Sequence, residues 1–433
     1  MTFWWKAGGK CPDAGAGAPI GTLFESGTGL RFVGSYGECE FSLLVYLHVG
    51  EYVRVISSSD PSWFAGGWVH LRFDWRGHPR RAPPRGQGMV ESRVFVMASS
   101  PRAIVLLGAQ RYDPTLGEAV AELGITGKIA TITAGWQERE SEDDDLQEHL
   151  GARTVNLRLH ARAEEVFRAD AEFNEAHRAR QSLLRHRQDF YRVRLEHALD
   201  AQHVITQRAA PQAILDDEGR ASIEAIRDLD ARHLARCARD RREWEDQWRP
   251  LERPEIAKHR SEIAELLDGC DAVAIAGGHV ASLLNRLSLF GIRDLLKGKA
   301  IFAWCAGAMA ISERVVLFHD SPPQGPGAAE VLDSGLGLAK NVVVLPQPEF
   351  RLRLEDKERV EIMARRFSPA TCLALPARTR VTWIGGVPQS PHGVYELRDD
   401  GTHGPIAFRA LASSVRIPVA RRAEPSGKKG KPS

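Results

Sequence analysis

The segment AIFAWCAGAMA, Ala300 to Ala310, sets a cysteine between an apolar run and a string of small residues able to open a helix. A sharp strand-to-helix turn of this kind exposes a nucleophile at the C-terminal edge of a sheet. Small neighbours are needed there because the backbone is strained and crowded. Ala303-Trp304-Cys305-Ala306-Gly307 satisfies the pattern small-x-nucleophile-x-Gly. A helix starting near Ala306 would aim its free N–H groups at the sulfur, lower the thiol pKa and favour thiolate. The competing reading of Cys305 is a small hydrophobe buried at a strand end.

An acyl-transfer nucleophile also requires an oxyanion hole. IAGGHVASLLNRL, Ile275 to Leu287, supplies a second strand that ends in Gly277-Gly278 before a helix. Gly278 permits close backbone approach, so its N–H and that of Ala306 form the candidate pair. An elbow with such a partner one strand away is hard to explain by packing, and Cys305 therefore stands at a catalytic position.

The elements that must hold these turns begin at Arg102. RAIVLLG (102–108), KIATITAG (128–135), DAVAIAGG (271–278), KAIFAW (299–304) and NVVVLP (341–346) are short apolar runs separated by helical stretches such as PTLGEAVAELG. This pattern predicts a mainly parallel sheet covered on both faces, a doubly wound α/β architecture. Gln110 and Arg111 follow the first strand on the edge where open α/β sheets bind ligands, and with Gly277 they are the candidate substrate contacts.

Between the second and third of these strands, residues 158–259 are helical in pattern and dense in charge of both signs. Val166, Phe173, Leu183, Leu184, Phe190 and Leu195 are expected on one side, and a second amphipathic run extends from Pro211 to Trp248. Two long antiparallel helices inserted into the α/β domain account for this pattern. Interspersed acids make a solvated, salt-bridged face the better reading than a nucleic-acid surface. The apolar stripe suits internal packing or a homo-oligomer. The acidic run Glu142 to Asp145 suits the first turn of a helix.

Lys plus Arg number 58 against 56 Asp plus Glu, so no whole-chain charge points to nucleic acid or an anionic membrane. Six cysteines without a CxxC pair argue against a zinc knuckle or a disulfide scaffold. Neither a metal nor a cofactor is expected. MTFWWKAGGK is not a secretory signal and FSLLVYLHV is far shorter than a membrane span of ~20 residues, which favours a cytoplasmic protein. Residues 1–100, with clustered tryptophans and the linker-like RGHPRRAPPRGQG, form either a poorly ordered extension or a small accessory module. Met89 and Met97 offer alternative starts. The α/β domain is expected over 101–410, followed by a basic disordered tail over 411–433.

AIAGGHVASLLNRL and AIFAWCAGAMAISE, preceded by VLLGAQRYDPTL and ITAGWQERE, resemble the class I glutamine amidotransferase-like superfamily. The resemblance is to its branch of serine peptidases containing aspartyl dipeptidase and cyanophycinase, and it covers roughly 102–386 outside the helical segment. It implies a flavodoxin-like sheet, a nucleophile elbow and hydrolysis of an amide bond in small peptide or amide substrates. Cys305 stands where the branch has its serine, Gly278 and Ala306 fall on the oxyanion positions, and His279 replaces an asparagine.

Two departures bear on activity. Gln347 occupies the place after NVVVLP where the branch carries its histidine base, and glutamine cannot accept a proton at neutral pH. Pro376, Ala377 and Arg378 fill a turn where a supporting acid is expected. True amidotransferases pair a cysteine elbow with His-x-Glu, a separation that His392 and Glu396 do not match. Cysteine needs less help than serine, so the two changes compensate each other in one reading and mark a decayed site in another. His279, His319 and His392 are substitute bases, none privileged by spacing. The alternative function is a catalytically degenerate binding or scaffold module acting through its helical segment.

Overall fold

The computed structural model describes residues 101–319, 327–389 and 391–406, together with the backbone of six strands before residue 73. Of these strands, β1 (Thr2–Lys6) pairs antiparallel with β6 (Trp68–Arg72). Between them in the chain, β2 (Pro19–Ser26), β3 (Leu30–Gly37), β4 (Glu40–Val49) and β5 (Tyr52–Ser58) form an antiparallel sheet in chain order. The linker after Arg76, Met89, Met97 and the tail 411–433 lie outside the described residues, and so do the side chains of the N-terminal tryptophans.

From Pro101 onward, mainly apolar runs of four or five residues form β7 (Ala103–Leu107), β8 (Ile129–Ile132), β10 (Ala272–Ile275) and β11 (Ala300–Trp304), joined by the short, more polar edge strand β9 (Thr154–Asn156). All five are parallel, in the spatial order β7-β11-β10-β8-β9. Alternate residues serve opposite faces because successive side chains of a strand point to opposite sides. Val105 and Leu107 pack with Leu116 and Val120 of α1 (Leu116–Glu122), which precedes the short α2 (Asp144–His149). Ile104 and Leu106 join the larger cluster on the other face. That cluster takes in α3 (Leu159–Ala169), α4 (Ala171–Thr206), α5 (Gln212–Trp248), α6 (Pro254–Asp268), α7 (Val280–Leu289), α8 (Ile292–Leu295) and α9 (Ala306–Ile311).

After α9 the chain forms the antiparallel pair β12 (Arg314–Leu317) and β13 (Glu330–Ser334), then the parallel pair β14 (Val342–Pro346) and β15 (Thr371–Leu375). The latter two enclose α10 (Pro348–Arg351) and α11 (Lys357–Phe367). β16 (Arg380–Ile384) and β17 (Val387–Pro388) extend the first sheet, while β18 (Tyr395–Leu397) and β19 (His403–Pro405) extend β15. NVVVLP was expected beside the other four apolar runs, but it lies in a different sheet. The outer edge of β7 is taken by antiparallel β16, with Arg380 opposite Leu107, so the backbone of β14 finds its partner in β15.

α4 and α5 are antiparallel neighbours joined across residues 207–211, with Tyr191 bonded to Asp230 and Arg187 to Asp240. The single apolar side expected for the first of them divides in two. Phe173 and Leu195 are buried, whereas Leu183 is 44% and Phe190 72% exposed. Helical geometry explains this: at about 100° per residue, Leu183 and Phe190 lie about 80–100° round the helix from Phe173, and Leu195 only about 40°. Polar residues complete the buried face. Asp230 of α5 receives two hydrogen bonds of 2.7 Å from the buried Arg366 of α11 and one from the Tyr191 hydroxyl. Among the described residues no helix is long and apolar enough to cross a membrane.

Candidate active site

Register brings four strand ends together at one edge. Ile275 of β10 lies opposite both Ile132 of β8 and Ala303 of β11, and Trp304 lies opposite Leu107 of β7. The residues that follow are Gly135 to Gln137, Gly277 to His279, Cys305, and Gly108 to Gln110. In chain order β8 leads outward to β9 and β10 leads the other way to β11, so the edge lies at a change of direction in the sheet, where open α/β sheets form crevices.

Cys305 has φ 50° and ψ −121° and sits directly before α9. A non-glycine residue held there costs about 1–3 kcal/mol and persists only where its surroundings dictate it. The neighbours do so. A Cβ on Gly307 would collide with the carbonyl oxygens of Ile275 and Ala276, and one on Gly277 would stand 2.8 Å from the Cβ of Cys305. Gly307→Ala is therefore expected to lower stability by about 1–3 kcal/mol through overpacking, read as a shift of the urea midpoint at constant slope.

Gly278 has φ 110°, a conformation that L side chains rarely adopt. Its backbone packs on Gly135, and His279 N donates to Gly135 O at 2.7 Å. The N–H groups of Gly278 and Ala306 have no acceptor among the described residues. They are thus free donors, one after β10 and the other directly after Cys305 at the end of β11.

The thiol is not ionised by its setting. Burial pushes Cys305 up to about 11, with Arg351 acting in the opposite sense and Glu349 raising it further. The expectation that the following helix would lower this pKa is thereby reversed. A helix terminus contributes at most about 2 kcal/mol to a partly buried group, about one and a half pH units, and α9 is only six residues long. Desolvation of the thiolate outweighs it. The rate of Cys305 alkylation by iodoacetamide should consequently climb about tenfold per pH unit from neutrality and level off only near pH 11. A rate already level at neutral pH would contradict this.

The other sequence candidates lie around this edge or beyond it. Gln110 Oε1 accepts from Thr115 N and Leu116 N, both at 2.8 Å, and its Nε2 donates to Gly108 O. Its carboxamide is engaged in capping α1. Arg111 is exposed and stacks over Tyr112 at 5.3 Å. His319 is exposed after β12. His392 pairs its backbone with Arg380, which lies opposite Leu107, itself opposite Trp304. Three strand spacings, about 14 Å, thus separate His392 from the elbow strand. Gln347, half-buried at φ 53°, leads into α10, and Arg378 pairs with Asp113 at 2.5 Å.

Sequence reasoning missed Glu349 and Arg351. They follow Gln347 by two and four residues and are the charged groups that act on Cys305. It also missed Trp136 and Gln137. The Trp136 ring lies 3.0 Å from where a Gly278 Cβ would be, and Gln137 adopts φ 59° and ψ −123°, close to the values of Cys305. The only signal for either lay in GWQERE. Of the acidic run, Asp144 and Asp145 open α2. The preceding Glu140 is buried, accepts from His160 N and Ala161 N, and so ties this loop to the start of α3.

No family model matches the chain, and no curated protein matches it. Among solved structures, the chain is similar to the crystal structure of a peptidase from an acI-B1 Actinobacterium. Sequence identity is 14% and the TM-score 0.31, over 70% of this chain and 96% of that one. A likeness at this level carries no conclusion about chemistry.

Proposed function

We propose that the protein is a hydrolase of small peptide or amide substrates that uses Cys305 as nucleophile and the N–H groups of Gly278 and Ala306 as oxyanion hole. The observation that carries this reading is the strained backbone of Cys305 at the tip of β11, beside two backbone donors without acceptors. In the reaction, the sulfur attacks the substrate carbonyl carbon and the carbonyl oxygen becomes an oxyanion between the two N–H groups. The C–N bond then breaks, the thiol proton ends on the departing amine, and water hydrolyses the thioester. Gly277 shapes the floor, and Arg111 is the candidate for a charged substrate end.

With this reading goes the proposal that the sheet is flavodoxin-like, that residues 158–259 are an insertion into a domain spanning 101–410, and that the chain descends from the peptidase branch it resembles. A cytoplasmic setting is part of the same reading. The deciding experiment compares turnover of a panel of dipeptides and amides by the wild-type chain and by Cys305→Ala. Loss of turnover supports the proposal and unchanged turnover overturns it.

A second reading, a degenerate amidotransferase-like protein serving as a binding or scaffold module or homo-oligomer through α4 and α5, is favoured by one fact. At neutral pH a thiol pushed up to about 11 carries about one part in 10⁴ thiolate, and Gln347 supplies no base to offset this. A chain without turnover on any member of the panel, whose sedimentation changes on Phe190→Asp, would select this reading.

A further inference from the structure

His279 borders the oxyanion turn, and the proton on its ring is set by the cap of α7, which a neighbouring loop supports. Ser282 N donates to His279 Nδ1 at 3.1 Å, the cap of α7. A backbone amide is only a donor, so Nδ1 must be the acceptor, and in the neutral ring the proton resides on Nε2. The Ser282 hydroxyl lies 2.9 Å from the same Nδ1. Because Nδ1 is the acceptor, the hydroxyl is the donor in that contact, and its oxygen accepts in turn from Gln137 Nε2 at 2.8 Å.

Gln137 reaches Ser282 from a strained position. Its φ and ψ nearly repeat those of Cys305, and the loop that carries it grips the oxyanion turn through the bond from His279 N to Gly135 O. Two non-glycine residues thus share one sparsely populated conformation at the same sheet edge, one holding the sulfur and the other holding a carboxamide against the capping serine.

We propose that Gln137 is a positioning residue which, through Ser282, holds His279 as the neutral Nε2–H tautomer, so that His279 offers a hydrogen-bond donor beside Gly278 and is not the proton acceptor for Cys305. The chemistry it suits is an acceptor oxygen on the substrate, a carbonyl or carboxylate next to the amide that is cleaved. Only this last identity rests on the hydrolase reading. The tautomer does not depend on it.

The test uses the full chain. Ring nitrogen NMR, with the His279 signals assigned by their loss in His279→Asn, should give an unprotonated Nδ1 and a protonated Nε2 at about pH 8, and Gln137→Ala should draw the two together. A protonated Nδ1, or an averaged pair in the wild-type chain, overturns the proposal. Asparagine keeps both an acceptor for the cap and an outward donor, so His279→Asn should leave the rate of Cys305 alkylation within about twofold of wild type. A general base contributes 10²–10⁴-fold, and a fall of about tenfold or more in that variant would identify His279 as the base and sink the proposal. Both measurements proceed without a substrate, so their failure is distinct from unchanged turnover in Cys305→Ala.

Discussion

Cys305→Ala is expected to reduce hydrolysis of a peptide or amide substrate by at least about 10³-fold, because no covalent intermediate can form without the sulfur. Stability should hardly change. Cys305 is half-buried, and alanine meets the same backbone requirement at φ 50°, so the unfolding free energy should stay within about 1 kcal/mol of wild type. Kinetics and denaturation of one preparation therefore separate loss of chemistry from loss of fold. Cys305→Ser sharpens the result. Serine without a base is nearly inert, so this variant should be as dead as alanine unless a proton acceptor stands beside the elbow.

The second large effect concerns how the helix pair is held. Removing the carboxylate in Asp230→Ala leaves the guanidinium of Arg366 buried without its counter-charge, and loss of one partner of a buried pair costs about 3–5 kcal/mol. Arg366 retains hydrogen bonds to the Ala329 carbonyl at 2.6 Å and the Tyr191 hydroxyl at 2.8 Å and its contact over the Phe367 ring, none of which supplies a negative charge. Urea denaturation should register a fall of that size, and α4 and α5 should become the first segments to exchange amide protons. Joint replacement by Asp230→Leu and Arg366→Met should restore much of the loss, since apolar groups of similar volume leave no buried charge. A single variant as stable as wild type would mean that the pair is not sealed from water.

How far the site could be read in advance differs from residue to residue. The tight turns at Cys305-Ala306 and Gly277-Gly278 were legible because such turns require a particular order of small residues, and order along the chain is what a sequence displays. Glu349 and Arg351 were not, because nothing in QPEFR says that α10 would be brought within electrostatic reach of the sulfur. Gln137 was hidden for another reason: its type is ordinary, and only its backbone conformation and its bond to Ser282 set it apart. The capping role of Gln110 was not legible, since a polar residue after a strand looks alike whether it faces a ligand or caps the next helix.

The apolar runs by themselves determined that parallel strands would alternate with helices, since runs of four or five buried residues bounded by glycine have few other homes. They also placed the strand-to-helix turn at Cys305 beside the glycine turn at Gly278. Only the tertiary structure decided that the NVVVLP strand would join a second sheet, because that depended on which segment claimed the edge of β7. It alone decided which face of α4 is buried, through partners as distant as Arg366. And it alone decided the state of the Cys305 thiol, because ionisation answers to the water excluded around a group, and that exclusion exists only once the whole chain has folded.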